Sequence, residues 1–316
     1  IIDLRQNPGG SLSSVLQILD EFLRKGEPIL YTEGEHQPRK TYDASGKMSF
    51  KNMNVYVLID EFSASASEIF AGAMQDNDRG LVIGRRSFGK GLVQEQIPLM
   101  DGSALRLTVA RFYTPSGRCI QKSYEEGNEE YFEDMHERFR HHEQLSADSI
   151  QFVDSLKYKT KSGRTVYGGG GIMPDFFVPA DTTSNSEFYN QIYRKGLIYT
   201  FAYAFADENR EKLSAFSNAN NIDDYLEQKN VLMEFLDYIE ENGIRKNEED
   251  LKKSHRVINT QLKAYIARNI MGEEGFYPII ESIDQTLQRA IEISRQDYLV
   301  ENVNRIDSLS ASHLQQ

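Results

Sequence analysis

The sequence has little of what would indicate disulfides, metal sites or membrane spans. Its 316 residues include a single cysteine, Cys119, which excludes an internal disulfide, and no group of cysteines and histidines has the spacing of a zinc site. The longest apolar runs, such as residues 55–59, are far shorter than the ~20 residues needed to cross a bilayer. We therefore expect no metal, no organic cofactor and no membrane span.

Basic side chains are also in deficit. The 36 lysines and arginines face 48 aspartates and glutamates, which gives a net charge of −12. A surface of that sign repels phosphate backbones and anionic lipid headgroups, so nucleic acid is not an expected partner. The chain opens on Ile1-Ile2-Asp3-Leu4, without a methionine or a charged and then apolar leader, which predicts a fragment that starts inside a domain.

Short β-rich runs alternate with one-sided helical stretches over the first 122 residues, and this alternation predicts an α/β fold. Buried strands are expected at residues 1–5 and 54–59, each followed by a helix, and further strands at 81–83, 93–97 and 105–113. Residues 122–165 are dense in charge and aromatics, which predicts a surface insertion that carries a helix. A glycine run at 168–171 then leads into a returning strand at 172–178.

Helical periodicity dominates from residue 185 to the end. The sequence thus predicts two domains, a catalytic core at 1–184 with the charged insertion at about 122–165, and a helical C-terminal extension at 185–316.

A serine stands where a predicted buried strand leads into a predicted helix. Ser65 is the middle serine of residues 63–68, and free backbone N–H groups at a helix N-terminus favour the negative charge of an acyl-transfer oxyanion. The N–H of Ala66 is the expected donor at this position. The alternative is a capping box, in which Ser65 and Glu68 only cap the helix.

A lysine lies between two glycines 25 positions later. Lys90 is set in an apolar and aromatic stretch, and removal from water favours the neutral amine, which is the form that accepts a proton. Gln94, four residues on, could orient that amine through its amide oxygen without adding charge. The alternatives are a solvated hairpin lysine and an ordinary strand glutamine.

A Pro-Gly-Gly turn follows the first predicted strand. Backbone N–H groups at Gly9 or Gly10 could supply a second oxyanion donor beside that of Ala66, since glycine leaves the backbone unobstructed. A plain strand-to-helix turn is the alternative, and the Gly-Lys-Ser/Thr ending of a phosphate loop is missing. A histidine base looks absent, because His36 is the only histidine before residue 136, and there is no Gly-x-Ser-x-Gly elbow.

Taken in this order, the segments resemble the tail-specific or carboxyl-terminal processing proteases, a Ser/Lys family of serine peptidases with a crotonase-like (ClpP/crotonase-type) α/β fold. The resemblance runs from Asp3 to Gly10 and continues in blocks through residues 63–76, 85–94, 101–104, 110–121 and 171–178.

The resemblance implies specific roles. Ser65 would be the nucleophile, Lys90 the base and Gln94 its orienting partner, with oxyanion donors at Gly9 or Gly10 and at Ala66. Glu68 and Asp76 match acidic positions that we expect to give structural support. The family also implies protein or peptide substrates, an exported enzyme of the periplasm or cell envelope, and an upstream PDZ domain that is not in this sequence.

The sequence therefore predicts a serine endopeptidase that cleaves proteins near their C-termini through an acyl-enzyme on Ser65. Homo-oligomerisation through the helical C-terminal region is a further expectation. Two alternatives stay open, namely a catalytically idle binding or scaffold module and a crotonase-like acyl-CoA enzyme, which would not need a nucleophilic serine paired with lysine.

Overall fold

Two four-stranded sheets form the framework of the first 180 residues. In the computed structural model, residues 1–122 and 128–296 are described, apart from the side chains of residues 128–132. By its internal contacts the chain divides into two units, Ile1–Ala180 with the residues from Arg289 onward, and Asp181–Gln288.

Up to residue 180, the first unit contains ten strands and three α-helices among the described residues. They are β1 (Ile2–Asp3), α1 (Leu12–Asp20), β2 (Pro28–Glu33), β3 (Lys40–Asp43), β4 (Tyr56–Ile59), α2 (Ala66–Asp76), β5 (Leu81–Gly84), β6 (Leu92–Pro98), β7 (Ala104–Tyr113), α3 (Asn128–Arg140), β8 (Lys157–Lys159), β9 (Thr165–Tyr167) and β10 (Phe176–Phe177).

The first sheet is parallel and has the order β1-β4-β5-β10. Its central strands β4 and β5 are buried along their whole length, as is typical of parallel strands covered on both faces. Because β1 and β4 run in the same direction in direct register, Asp3 lies beside Leu58 and the turns after both strands emerge at one edge. That edge carries the candidate site, where ligands of open α/β sheets are usually found.

The second sheet is antiparallel and has the order β3-β2-β7-β6. Its β6–β7 ribbon is largely exposed and sorts its side chains by face, because directly paired residues point to the same side. Gln96 pairs with Arg106 on one face, whereas Ile97 pairs with Leu105 on the other. The ribbon thus has a polar face and an apolar face.

The second unit is helical. Its helices are α4 (Glu187–Arg194), α5 (Leu197–Glu208), α6 (Arg210–Leu213), α7 (Ala219–Lys229), α8 (Val231–Glu241), α9 (Glu248–Met271), α10 (Glu273–Ile280) and the start of α11 (Gln285–Arg295). The long helix α9 contributes Ile258, Leu262 and Ile266 to a core that also includes Phe205 and Phe235. Among the described residues, no helix is long and apolar enough to cross a membrane.

The predicted α/β core followed by a helical region is confirmed, with four corrections. Strand β1 is a partly exposed edge strand rather than a buried one, and the returning strand at 172–178 is reduced to β10. The β2–β3 pair was not predicted. The insertion at 122–165 is not purely a surface excursion, because Arg138 and Arg164 within it are buried.

Candidate active site

Ser65 has a backbone conformation that residues with a side chain rarely adopt. Its φ is 56° and its ψ is −115°, and helix α2 begins at the next residue, Ala66. Such conformations in a non-glycine residue cost about 1–3 kcal/mol and cluster at functional sites. The strand, strained serine and helix have the mechanical features of a nucleophile elbow, although the flanking glycines of that motif are missing.

The turn after β1 is bonded to the segment that holds Ser65. The carbonyl oxygen of Asn7 accepts the N–H of Ala64 at 3.0 Å and the hydroxyl of Ser67 at 3.0 Å. The hydroxyl of Ser63 donates to the carbonyl oxygen of Leu4 at 2.8 Å. These bonds involve backbone or short side chains, so they fix the backbone on both sides of Ser65.

Gly9 lies so close to the serine segment that no other residue fits there. A Cβ atom at Gly9 would stand 2.5 Å from the carbonyl oxygen of Ala64 and 2.6 Å from the nitrogen of Ala66, and the φ of Gly9 is +93°. Its N–H donates to Asn7 Oδ1 at 2.9 Å. Within the described residues, the N–H groups of Gly10 and Ala66 have no hydrogen-bond acceptor.

Glu68 is a fully buried carboxylate that accepts four hydrogen bonds from the two segments of the site. Its Oε2 accepts the N–H of Ser65 at 2.9 Å and the N–H of Lys90 at 2.8 Å, while its Oε1 accepts the N–H of Gly89 at 2.7 Å and the hydroxyl of Ser87 at 2.6 Å. Burial raises the pKa of the Glu68 carboxyl above its ordinary value, and the four donors oppose that rise.

The capping-box geometry that sequence offered as an alternative is also present at the start of α2. It does not compete with a chemical role, because the bonds to Gly89 and Lys90 give Glu68 partners that a simple cap does not have. Oε2 of Glu68 thus accepts the backbone N–H groups of both Ser65 and Lys90.

The backbone around Lys90 is bonded on every side. The N–H of Gly91 donates to Gln121 Oε1 at 2.8 Å, and the carbonyl oxygen of Gly91 accepts the N–H of Phe112 at 2.9 Å. The carbonyl oxygen of Gly89 accepts the N–H of Lys122 at 3.3 Å. Lys90 is half-buried, and its ammonium nitrogen has no hydrogen-bond partner among the residues that the structure describes.

One cleft of about 560 Å³ brings most of the predicted residues together. Six predicted site residues line it: Gly9, Gly10, Ser65, Ala66, Lys90 and Gln94. Leu12, Ile69 and Phe112 add apolar lining, and the polar face of the β6–β7 ribbon adds Gln96 and Arg106.

The orienting role predicted for Gln94 is not supported by a hydrogen bond to Lys90 in this conformation. The amide nitrogen of Gln94 donates to Thr108 Oγ1 across the ribbon at 3.4 Å, and no described hydrogen bond joins Gln94 to Lys90. Gln94 is exposed in the cleft, so its side chain is free to turn when a substrate is present.

Asp76 lies outside the cleft, at the far end of α2. It pairs with the fully buried Arg118 at 2.8 Å and accepts the hydroxyl of Thr114 and the N–H of Ser116 at 3.0 Å. The carboxylate thereby fixes the turn after β7 to helix α2.

Several residues of the site were missed from sequence. They are Asn7, Gln121 and Arg138, which bond the backbone of the serine or lysine segment, and Ser87, whose hydroxyl donates to the carboxylate of Glu68. For Asn7 and Ser87 the available indication was chemical, since a polar residue beside a proposed site segment needs a partner once it is buried. Gln121 and Arg138 are distant in sequence and gave no such indication.

Comparison with known families gives two matches. Peptidase family S41 matches residues 1–128, and a family of unknown function, DUF8443, matches residues 188–272. The first match contains β1 to β7 and therefore the whole cleft, while the second lies in the helical unit.

Relatives of known name resemble the same first region. The carboxy-terminal-processing protease of Bartonella bacilliformis is 50% identical over 122 residues, which are 38% of this chain and 28% of that protein. The carboxy-terminal processing protease CtpB of Bacillus subtilis is 43% identical over 122 residues, which are 39% of this chain and 25% of that protein. The chain thus spans less than a third of the length of either relative.

A solved structure titled photosystem II D1 C-terminal processing protease is 37% identical to this chain and has a TM-score of 0.35. The match covers 38% of this chain and 31% of the chain in that structure. Residues 1–128 of this chain, called the S41 region below, match the model of peptidase family S41 and are similar in sequence to proteins named carboxy-terminal-processing proteases.

Proposed function

We propose that the chain is the catalytic part of a serine endopeptidase that cleaves proteins near their C-termini. The observation that carries the proposal is the pairing in one cleft of a strained Ser65 at a helix N-terminus with Lys90, both bonded through their N–H groups to the same oxygen of Glu68. The homology of this region to carboxy-terminal-processing proteases supports the same function.

In this mechanism the neutral amine of Lys90 takes the proton of Ser65 Oγ as that oxygen attacks the scissile carbonyl carbon. The tetrahedral oxyanion is stabilised by backbone N–H groups, and Lys90 then gives the proton to the departing amine. An acyl ester on Ser65 remains. Water gives a proton to Lys90 as it attacks the ester carbonyl carbon. Lys90 then returns that proton to Ser65 Oγ as the bond between Oγ and the acyl carbon breaks, which releases the carboxylic acid and regenerates the serine.

We assign the oxyanion donors to Ala66 and, of the two glycines, to Gly10. The N–H of Gly9 already donates to Asn7, whereas those of Gly10 and Ala66 have no acceptor within the described residues. Gly9 instead serves by its lack of a side chain, which lets the turn lie against Ala64 and Ala66. Gln94 is proposed to orient Lys90 once substrate is bound, with Glu68 and Asp76 as structural supports.

The proposal extends to setting and organisation. Substrates are proteins or peptides, the location is the periplasm or cell envelope, and residues 1–184 form the catalytic core with a helical extension at 185–316. Homo-oligomerisation through that extension remains part of the proposal. The names of bacterial and chloroplast relatives agree with C-terminal processing as the activity.

The decisive experiment compares Ser65→Ala and Lys90→Ala with the parent chain on an unfolded protein that has an apolar C-terminus. Each change should lower the cleavage rate by about a thousandfold or more, because the nucleophile and its base act as a unit. The exposed Ser14→Ala and Lys51→Ala serve as controls and should cleave like the parent. Cleavage that survives in Ser65→Ala, or that is missing in the parent, would reject the proposal.

A catalytically idle scaffold is the competing function. It predicts substrate binding without cleavage by the parent and no difference between the parent and Ser65→Ala. An acyl-CoA enzyme predicts thioester turnover that does not depend on Ser65, so one peptide assay and one thioester assay separate the three.

A further inference from the structure

Helix α3 lies beyond the S41 region, yet it reaches the backbone that leads to Lys90. The S41 match ends at residue 128, where α3 begins, and the helix carries two arginines in its last turn. Arg138 is buried, whereas Arg140 is exposed. The two arginines thus share a helix and a charge but differ in environment.

The guanidinium of Arg138 donates to consecutive carbonyl oxygens just before Lys90. Its Nη2 lies 3.0 Å from the carbonyl oxygen of Arg86, and its Nη1 lies 3.1 Å from that of Ser87 and 3.5 Å from that of Phe88. The planar fork of arginine can span several acceptors in this way, which the point charge of a lysine cannot do.

A second carboxylate balances the charge of this cluster. Glu143 accepts Arg138 Nε at 3.0 Å and also accepts Nη1 of Arg86, at 3.2 Å for one of its oxygens. Burial lowers the pKa of the Arg86 guanidinium, and the neighbouring Arg138 acts in the same direction. Removal of Glu143 would therefore leave two adjacent cations without the carboxylate that pairs with both.

A second contact from α3 reaches the same loop. Asp134 pairs with the ammonium of Lys122 at 2.6 Å, and that ammonium lies 4.3 Å from the centre of the Phe88 ring. The insertion therefore holds residues 86–88 through Arg138 directly and through Lys122 indirectly.

These contacts matter for Lys90 because its side chain has no fixed partner of its own. Within the described residues its ammonium makes no hydrogen bond, so its position depends on the backbone beneath it. Glu68 holds that backbone through the N–H groups of Gly89 and Lys90, and Arg138 holds the preceding carbonyls. Glu68 thus binds N–H groups of this loop, whereas Arg138 binds its carbonyl oxygens.

We propose that Arg138 is a positioning residue for Lys90, so that the charged insertion outside the S41 region sets the efficiency of the base. This inference rests on the proposed function, since the placement of Lys90 affects the rate only if Lys90 takes the proton. It adds to that function a dependence on residues that the family match does not contain.

The test uses the full chain with Arg138→Lys, Arg138→Ala and the matched control Arg140→Ala. Arg138→Lys keeps the charge opposite Glu143 but loses the fork, and we expect kcat to fall about tenfold to a hundredfold from misplacement of the base. KM should stay within about twofold, because the cleft lining is unchanged. The pH profile of kcat should also shift, and Arg140→Ala should match the parent in all three measurements.

Hydrogen exchange supplies a readout that does not depend on activity. The amides of Gly89 and Lys90 should exchange faster in Arg138→Lys, while the amides of α2 keep their protection. If Arg138→Ala does not fold, Arg138→Lys and its exchange pattern carry the test alone.

The inference is overturned if folded Arg138→Lys shows the kcat, pH profile and amide exchange of Arg140→Ala. It is also overturned if the rate falls only in proportion to the unfolded fraction, which would make Arg138 merely stabilising. Ser65→Ala is assayed alongside to separate a failure of the proposed function from a failure of this inference. Cleavage that persists in Ser65→Ala rejects the proposed function. If Ser65→Ala is inactive but the Arg138 variants cleave like the parent, only the role of Arg138 is rejected.

Discussion

The two segments that meet in the cleft are held by different means. The serine segment is held to the turn after β1 by one backbone hydrogen bond, by two serine hydroxyls and by the close approach of Gly9, and the N–H of Ser65 donates to Glu68. The lysine segment also makes backbone hydrogen bonds, but it depends in addition on three buried side chains from other parts of the chain, namely Glu68, Gln121 and Arg138. The strained nucleophile thus lies on a backbone packed directly against a neighbouring turn, while the base lies on a loop that distant side chains help to hold.

This difference teaches where the site can be adjusted. Backbone contacts at van der Waals distance tolerate almost no change, since a displaced peptide has no alternative position. Side-chain anchors can be weakened by one atom at a time, so the lysine segment should give graded effects.

The largest effect is expected from Gly9→Ala. The new Cβ would stand 2.5 Å from the carbonyl oxygen of Ala64, at a φ of +93°, so the turn must move away from Ser65. We expect activity close to that of Ser65→Ala and a loss of about 2–4 kcal/mol in the free energy of unfolding. Urea titration and peptide cleavage measure the two quantities.

Gly26→Ala is the matched control for that change. Gly26 has a similar φ of +80°, but a Cβ added there would meet nothing within 4 Å, so it reports the conformational cost without the collision. Equal losses in both variants would mean that the close contact at Gly9 is unimportant and that the serine segment is not held as described.

Glu68→Gln should have an intermediate effect. The amide presents N–H donors where one carboxylate oxygen accepted. Either the N–H groups of Ser65 and Lys90 lose their common acceptor, or the hydroxyl of Ser87 and the N–H of Gly89 lose theirs. Each unmade buried bond costs about 1–3 kcal/mol, partly offset because a buried charge is removed. We expect kcat to fall about tenfold to a hundredfold.

Stability and rate separate the possibilities for Glu68. If the cleavage rate falls more than the lowered melting temperature can explain, Glu68 acts as an anchor of both segments. If the rate falls only in proportion to the loss of stability, Glu68 acts as a simple helix cap. Glu61→Gln is the control, because Glu61 also follows β4 and pairs with Arg85 at 2.7 Å, and no described hydrogen bond joins it to Gly89 or Lys90.

The smallest effect is expected from Gln94→Leu, at about threefold to tenfold in kcat, because the amide is a neutral partner that holds no backbone. Gln94→Glu should lower the rate further and move the pH profile to higher pH, since a carboxylate favours the protonated amine. Thr108→Val removes the observed partner of Gln94. If it reproduces Gln94→Leu in full, Gln94 acts on the ribbon and not on Lys90.

Much of the fold and the composition of the cleft followed from sequence because the relevant patterns are local. Strands β4 and β5 are apolar runs of four residues, and a serine directly after a buried strand at a helix start can be placed without tertiary information. Parallel strands with a common edge then imply that the turns after β1 and β4 lie together.

The remaining features depend on partners distant in sequence. The positive φ of Ser65 requires the turn at residues 4–10 to hold it, and the donors that Glu68 gathers from the lysine segment are 19 to 22 positions away. A charge-dense stretch such as the one around Arg138 is usually solvated, which is why its pattern predicts a surface insertion. Composition cannot distinguish an exposed arginine from one that is buried against carbonyl oxygens.

The strained backbone at Ser65 has a consequence for selection on this chain. Glycine adopts a positive φ without penalty, so a lineage that no longer needed the hydroxyl would gain about 1–3 kcal/mol of folding stability by replacing this one residue. A serine at that position is thus a cost that a purely structural module would be free to discard. The presence of serine at this position therefore favours a catalytic role over the idle-scaffold alternative.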